Sequence, residues 1–258
     1  MPSIQFEISN NVAWITLNRP EKFNAFNREM ALQLQQVLDD CATNISIRCI
    51  YITGAGKAFC AGQDISELTG DNAIEMARIL AEHYNPIVKK IREINVPVVC
   101  AVNGVAAGAG ANIALCCDIV VAAEGASFIQ AFSKIGLIPD SGGTYTLPRL
   151  IGWQKASALM LTGDKVPALQ AEKMGMIYKV FTNETFDEES KKIANSIAQM
   201  PTKALAYTKH ALNQSFTNSW EEQLLLEDDF QQKAAATKDY EEGINSFLEK
   251  REAKFRGD

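Results

Sequence analysis

Asp140 stands between an apolar stretch, Ile135–Pro139, and Ser141-Gly142-Gly143-Thr144, where a helix can begin. A carboxylate at such a boundary could take up and return a proton. It could equally be a cap or turn residue, the usual role of an isolated Asp before Ser-Gly-Gly. A second segment, Ala106 to Ala111, contains only Gly and Ala between an apolar strand and a helix. Residues this small expose main-chain N–H groups at the positive end of a helix, where they could hold an oxyanion. Tight helix–strand packing would use the same residues, and the segment alone does not choose. It lacks the GxGxxG spacing with an acidic residue about twenty positions on, so it fits a dinucleotide poorly. A third segment, Lys57–Ile65, follows a strand and a turn with Gly54 and Gly56. Its small residues Ala58, Ala61 and Gly62 would let a ligand approach the main chain, although in isolation it reads as an ordinary strand-to-helix loop.

Other chemistries find less support. The only histidines, His83 and His210, are far apart, and the six cysteines form no CxxC pair. That argues against zinc and against a Cys–His nucleophile. Without a secretory signal at Met1–Asn10 the cysteines read as reduced, buried thiols, and the expected location is cytoplasmic. A formal net charge of -6 argues against nucleic acid as a partner. Polar and Gly residues interrupt every long apolar stretch, so no membrane span is expected.

The elements that must position these segments alternate in the first half of the chain. Ile4–Ile8 and Val12–Leu17 read as a hairpin turning at Asn10–Asn11. Arg28–Asp40 has helical periodicity, Ile47–Ile52 is a short strand, and Asn72–Ile91 is a long helix that Pro86 is placed to kink or split. Val96–Val102 and Ile119–Ala123 are buried strands. Alternation of this kind predicts an α/β layered fold. After about Ser141 nearly everything reads as helix: Trp153–Leu161, Ala168–Met174, Asp187–Gln199, Thr202–Gln214, Ser219–Ala235 and Asp239–Lys250. The expected organisation is a core over residues 1–200 and a helical region over 201–258, whose apolar stripes call for subunit packing.

The three chemical segments, taken together, resemble the crotonase (enoyl-CoA hydratase/isomerase) superfamily over nearly the whole chain. Asn18-Arg19-Pro20 to Asn24-Ala25 is similar to the family's N-R-P-x-x-x-N-A signature, and Ala58–Asp64 to its A-F-[CS]-A-G-x-D loop. Ala101-Val102-Asn103-Gly104 to Cys117-Asp118 and the ending Glu242-Gly243 to Lys250-Arg251 also match. The resemblance implies a right-handed spiral of ββα turns with a C-terminal helical trimerisation region, assembled as a homotrimer or homohexamer. It implies an acyl-CoA substrate, with coenzyme A part of that substrate and no separate cofactor. The thioester oxygen would accept from the main-chain N–H groups of Gln63 and Ala109. Lys22, Phe23, Ala25, Ala61, Asp64 and Ile65 would line the path of the CoA moiety.

Hydratases of this family use two glutamates, and the matching positions are Asn112 and Phe132. Syn addition of water needs a carboxylate to activate the water and an acid to protonate the α-carbon. Neither replacement can serve, so poor hydration is expected. Asp140 matches the acid of family isomerases, and a double-bond shift needs one base and an oxyanion hole. Phe132–Thr144 is especially similar to the branch that converts ring-1,2-epoxidised phenylacetyl-CoA to oxepin-CoA in phenylacetate catabolism. Phe132 would suit a ring-derived acyl group there, or it is core packing. The competing expectations are a 3-enoyl-CoA to 2-enoyl-CoA isomerase of fatty-acid oxidation, a weak hydratase, and an idle acyl-CoA- or RNA-binding homologue.

Overall fold

In a computed structural model, which describes residues 2–70 and 73–258, the middle of the chain folds as strand pairs, each a longer strand followed by a shorter one. The opening hairpin joins β1 (Ile4–Ser9) to β2 (Val12–Leu17) in antiparallel register. Asn10 and Asn11 both have positive φ, 52° and 61°. That conformation gives a two-residue turn the twist of its strands, and Asn tolerates it. Next come β3 (Cys49–Gly54) with β4 (Ala58–Cys60), β5 (Val98–Val102) with β6 (Val105–Ala107), and β7 (Ile119–Ala123) with β8 (Ser127–Ile129). β9 (Lys165–Pro167) and β10 (Lys179–Phe181) complete the set.

One sheet has the order β1-β2-β3-β5-β7-β10, ending on the three-residue β10, and a second, of three-residue strands, has the order β4-β6-β8-β9. Within the pairs β3/β4, β5/β6 and β7/β8 the chain steps from the first sheet to the second and then into a helical segment before returning. The expected ββα repeat is present. Pairing between successive turns is parallel, and β5 is buried at every residue, as a parallel strand covered on both faces should be.

Several sequence expectations need correction. Strands β4, β6 and β8 of the second sheet are three residues each, too short for a period of two to register. β9 and β10 interrupt the half expected to be all helix, and a further helix occupies Gly143–Ile151. The long helix expected over 72–91 divides into Met76–Ile79, a π-helical turn Leu80–Tyr84, and Asn85–Glu93; Asn72 lies outside the described residues. Pro86 causes the break, since it has no N–H for the Glu82 carbonyl four residues back. Gln35 Nε2 donates to that carbonyl at 2.6 Å instead, and the Asn85 N–H reaches back five residues to Leu80. Pairing of Thr202–Gln214 with Trp220–Ala235 follows the expected helical ending, and no residue of Trp220–Ala235 is buried. All six cysteines are free and buried. Among the described residues, no helix is long and apolar enough to cross a membrane.

Candidate active site

A cavity of about 230 Å³ lies where the ends of β4 and β6, the π-turn and the segment before Gly143 converge. Apolar side chains dominate it: Ile65, Leu68, Met76, Ile79, Phe132, Ile135 and Leu137. Among the described residues, the polar and ionisable side chains on its wall are Asp140, Tyr84, Gln63 and Lys134, and Asp140 is the only carboxylate. Asp140, Gln63, Ala109, Ala61, Ile65 and Phe132, all singled out in the sequence, meet here. Tyr84 and the Met76–Ile79 wall were not; the signal available in the sequence was Pro86, which forces the register change placing Tyr84 on the cavity.

Asp140 is half-buried in a turn that its own side chain does not cap. The helix starting at Gly143 has Gly142 as N-cap with no side-chain bond. The Asp140 carboxylate accepts from Ser141 Oγ at 2.8 Å, while its main-chain carbonyl accepts from Asn112 Nδ2 at 2.9 Å and Gly143 N–H at 2.8 Å. The turn is thus braced through its main chain and the carboxylate is left to the cavity. Burial pushes the Asp140 carboxyl above the usual carboxylate range, against the opposing bond from Ser141. Asn112 is fully buried and does not line the cavity; its Oδ1 accepts from Gln130 Nε2 at 2.8 Å. Its side chain is a strut for the Asp140 turn.

Two residues of the cavity wall, Gln63 and Ala109, bring main-chain N–H groups to it. Phe26 N–H donates to the Gly62 carbonyl at 2.7 Å and Asp64 N–H to the Phe26 carbonyl at 2.8 Å. The peptide joining Gly62 to Gln63 is trans, so the Gln63 N–H points opposite to the Gly62 carbonyl, away from Phe26. Ala109 opens the helix Ala109–Leu115, a position with no acceptor inside the helix. Among the described residues, neither N–H has a protein acceptor. Two glycines allow the approach. Gly108 has φ 53° and ψ -129°, a conformation essentially restricted to Gly. Gly62 has φ 92°, and a Cβ there would sit 3.0 Å from the Ala107 carbonyl oxygen and 3.6 Å from the Ala109 nitrogen. The Phe132 ring lies beside Gly108, its Cζ 3.8 Å from where a Gly108 Cβ would be.

The positions expected along a CoA path divide into two groups. Lys22, Phe23, Ala61 and Ile65 are exposed and form one shelf, because Ala61 N–H donates to the Phe23 carbonyl at 3.0 Å. Phe23 is 58% exposed in a left-handed conformation, held out by its backbone. Ala25 and Asp64 are buried beneath the shelf and differ from expectation. Arg19 donates to the Ala25 carbonyl and, at 2.8 Å, to the Asp64 carboxylate, which also accepts from Ser66. Burial alone would raise the Asp64 carboxyl, but the bonds from Ser66 and Arg19 outweigh it and hold it below its ordinary value. These two residues tie the shelf together from below. Asn24 and Asn103 do the same for neighbouring loops: Asn24 Nδ2 donates to the Ala55 and Ala58 carbonyls, and Asn103 Nδ2 to the Gly56 carbonyl.

Comparison with known proteins agrees with this fold. Residues 7–258 match the family described as enoyl-CoA hydratase/isomerase. The chain is 44% identical over 260 residues to the 1,2-epoxyphenylacetyl-CoA isomerase of Escherichia coli K12, covering 100% of this chain and 99% of that one. It is 41% identical over 258 residues to a Rhodobacter capsulatus protein named as a probable enoyl-CoA hydratase, covering 99% and 98%. The crystal structure of an enoyl-CoA hydratase from Bacillus anthracis superposes with a TM-score of 0.93 at 31% identity, covering 99% of this chain and 100% of that one.

Proposed function

The chain is a member of the enoyl-CoA hydratase/isomerase family, and from that premise we propose that it isomerises an acyl-CoA thioester by a proton shift carried on Asp140 alone. The observation that carries this reading is the single carboxylate on the cavity wall. Gln63 and Ala109 N–H groups would donate to the thioester oxygen, lowering the cost of forming an enolate when Asp140 removes the α-proton. The protonated acid would then return its proton further along the acyl group. The product has the formula of the substrate, so no second acid or activated water is required. The raised Asp140 carboxyl suits this double role, since a base nearer the working pH is also a better acid once protonated.

For the acyl group, the proposed substrate is ring-1,2-epoxyphenylacetyl-CoA, with oxepin-CoA as product: the ring carbon–carbon bond bridged by the epoxide oxygen breaks as the ring expands to seven members, and the proton taken from the α-carbon is returned to a ring carbon. Support comes from the 44% identity to the E. coli enzyme of that activity and from the Phe132-lined apolar cavity. The second reading is a 3-enoyl-CoA to 2-enoyl-CoA shift, which uses the same base and hole on an aliphatic chain. Hydration fits less well, because Phe132 occupies the wall and Asn112 is committed to the Asp140 turn. The deciding experiment incubates the enzyme in deuterated water with ring-epoxidised phenylacetyl-CoA, 3-hexenoyl-CoA and crotonyl-CoA. Isomerised product with deuterium exchanged at the α-carbon is expected for the first, and little hydration of crotonyl-CoA. Hydration on the order of 10³ s⁻¹, the upper usual range for enzymes, or binding without exchange of any α-proton, would overturn the proposal.

A further inference from the structure

Tyr84 is fully buried in the cavity wall and belongs to none of the motifs that point to the site. It ends the π-helical turn Leu80–Tyr84, and its ring packs edge-on against Phe26 with centroids 6.0 Å apart. Phe26 is the residue whose main chain fixes the direction of the Gln63 N–H. The Tyr84 hydroxyl donates to Gln63 Oε1 at 2.8 Å, and Gln63 Nε2 donates to Glu67 Oε2 at 2.8 Å. Glu67 Oε1 in turn accepts from the Arg28 N–H at 2.9 Å, at the start of the next helix. The polarity of this chain of bonds has one solution. A carboxylate only accepts, so the Gln63 amide nitrogen must face Glu67 and its oxygen must face Tyr84. Tyr84 must then donate. Burial holds its hydroxyl well above the ordinary phenol value, with the nearby Cys60 and Asp140 adding to the effect, so it stays protonated and the bond persists through the working pH range.

We propose that Tyr84 is a positioning residue for the oxyanion hole: through Gln63 and Glu67 it locks the side chain whose own main-chain N–H is one of the two donors. The proposal rests on the reading of Gln63 and Ala109 as the thioester's donors, and it assigns the π-turn a purpose. The bridge to Phe26 aims the Gln63 peptide, but the Gln63 side chain leaves that bridge on its other side. Anchored at both of its amide atoms, it stops the residue from rocking about its Cα. Misplacement by about 1 Å of a group that acts on the transition state can cost on the order of 10²-fold.

The test uses the full-length enzyme and the variants Tyr84→Phe and Glu67→Ala. Tyr84→Phe removes one oxygen from the cavity wall. Glu67→Ala cuts the far end of the relay without touching the wall, so any change in catalysis there cannot come from a lost substrate contact. For each, kcat, KM, the pH profile of kcat, and the absorption red shift of bound 2,4-hexadienoyl-CoA are measured. The shift reports polarisation of the thioester carbonyl by the hole. Both variants should lose roughly ten- to a hundredfold in kcat with KM within about threefold and show a smaller red shift. The double variant should be no worse than the poorer single one, since one relay is cut twice. Tyr84→Phe should leave the pH profile unchanged in shape, including its alkaline side, which is where a Tyr84 that itself exchanged protons would titrate. If the wild-type enzyme shows no red shift, the hole itself is misassigned. If it shows one and both folded variants keep it together with full kcat, the hole stands and the role of Tyr84 is refuted. Should Tyr84→Phe fail to fold, Glu67→Ala alone decides.

Discussion

Replacing Asp140 with Asn removes the proton acceptor and very little else. The amide has the size of the carboxyl, its oxygen can still accept from Ser141 Oγ, and the bonds from Asn112 and Gly143 go to the main chain, which is unchanged. A positioned acid–base group contributes typically 10²–10⁴-fold. Because Asp140 would both take and return the proton, and among the described residues no other carboxylate lines the cavity, the loss should lie near the upper end. A fall of about 10⁴ in kcat corresponds to about 5.5 kcal/mol of transition-state stabilisation at roughly 1.36 kcal/mol per tenfold. KM should change by less than about threefold. The wild-type rate requires the ionised form, so kcat should decline on the acid side with a midpoint above the ordinary Asp value of about 3.9, moved there by burial.

Stability carries an independent sign. The folded-state value of Asp140 is raised, so its favourable contribution exists below the unfolded value and is lost as pH rises through the folded one. At pH 7 the buried carboxylate is therefore a cost, and Asp140→Asn should melt at the same temperature as wild type or higher. Turnover is followed by chromatography of the CoA esters, exchange by nuclear magnetic resonance, and stability by thermal melt. Asp140→Ala guards against hydrolysis of the new amide back to the acid. Retention of more than about a hundredth of wild-type turnover, the smallest loss expected of an acid–base group, would mean that Asp140 is a turn residue. So would a clear drop in melting temperature at pH 7.

Ala109→Pro deletes one N–H of the hole at the first position of its helix, where proline is tolerated; a folded variant should lose roughly 10²–10³ in kcat, whereas Ala109→Ser should lose far less, and equal rates would remove Ala109 from the hole. His83 is 0% exposed with both ring nitrogens unpartnered, and burial lowers its value despite the pull of Glu67 and Glu82, with Arg28 and Arg78 acting the other way. The unfolded chain therefore binds the proton first as pH falls below about 6.5, and urea midpoints should fall between about pH 6.5 and 5; a His83→Phe variant with the same slope would refute this. Leu212, Leu224, Leu225, Phe247 and Leu248 are all exposed on the terminal helices, so light scattering should give three or six times the mass of one chain, and a monomer at micromolar concentration would contradict the expected assembly.

The long parallel strands were legible as short apolar runs and the amphipathic helices by their period. Val12–Leu17, Ile119–Ala123 and Thr202–Gln214 begin and end where their patterns do. The second sheet was not, since strands of three residues such as Ala58–Cys60 and Val105–Ala107 owe their existence to partners far along the chain. The same reason hid β9, whose pairing with β8 joins Ser127–Ile129 to Lys165–Pro167.

The site follows that division. Its main-chain parts could be inferred from residues that are there because nothing larger fits: Gly62 against Ala107, and Gly108 in a conformation that other residues avoid. Asp140 stood out as a lone acid in an apolar setting. What stayed hidden was the support. Tyr84 reads as one more apolar position in a helix, and only the register change at Leu80–Tyr84 turns it onto the cavity. Asn112 reads as a missing acid, yet its amide does what a carboxylate could not, donating to the Asp140 carbonyl while accepting from Gln130. Asn112 therefore supplies a donor that fixes the turn carrying Asp140.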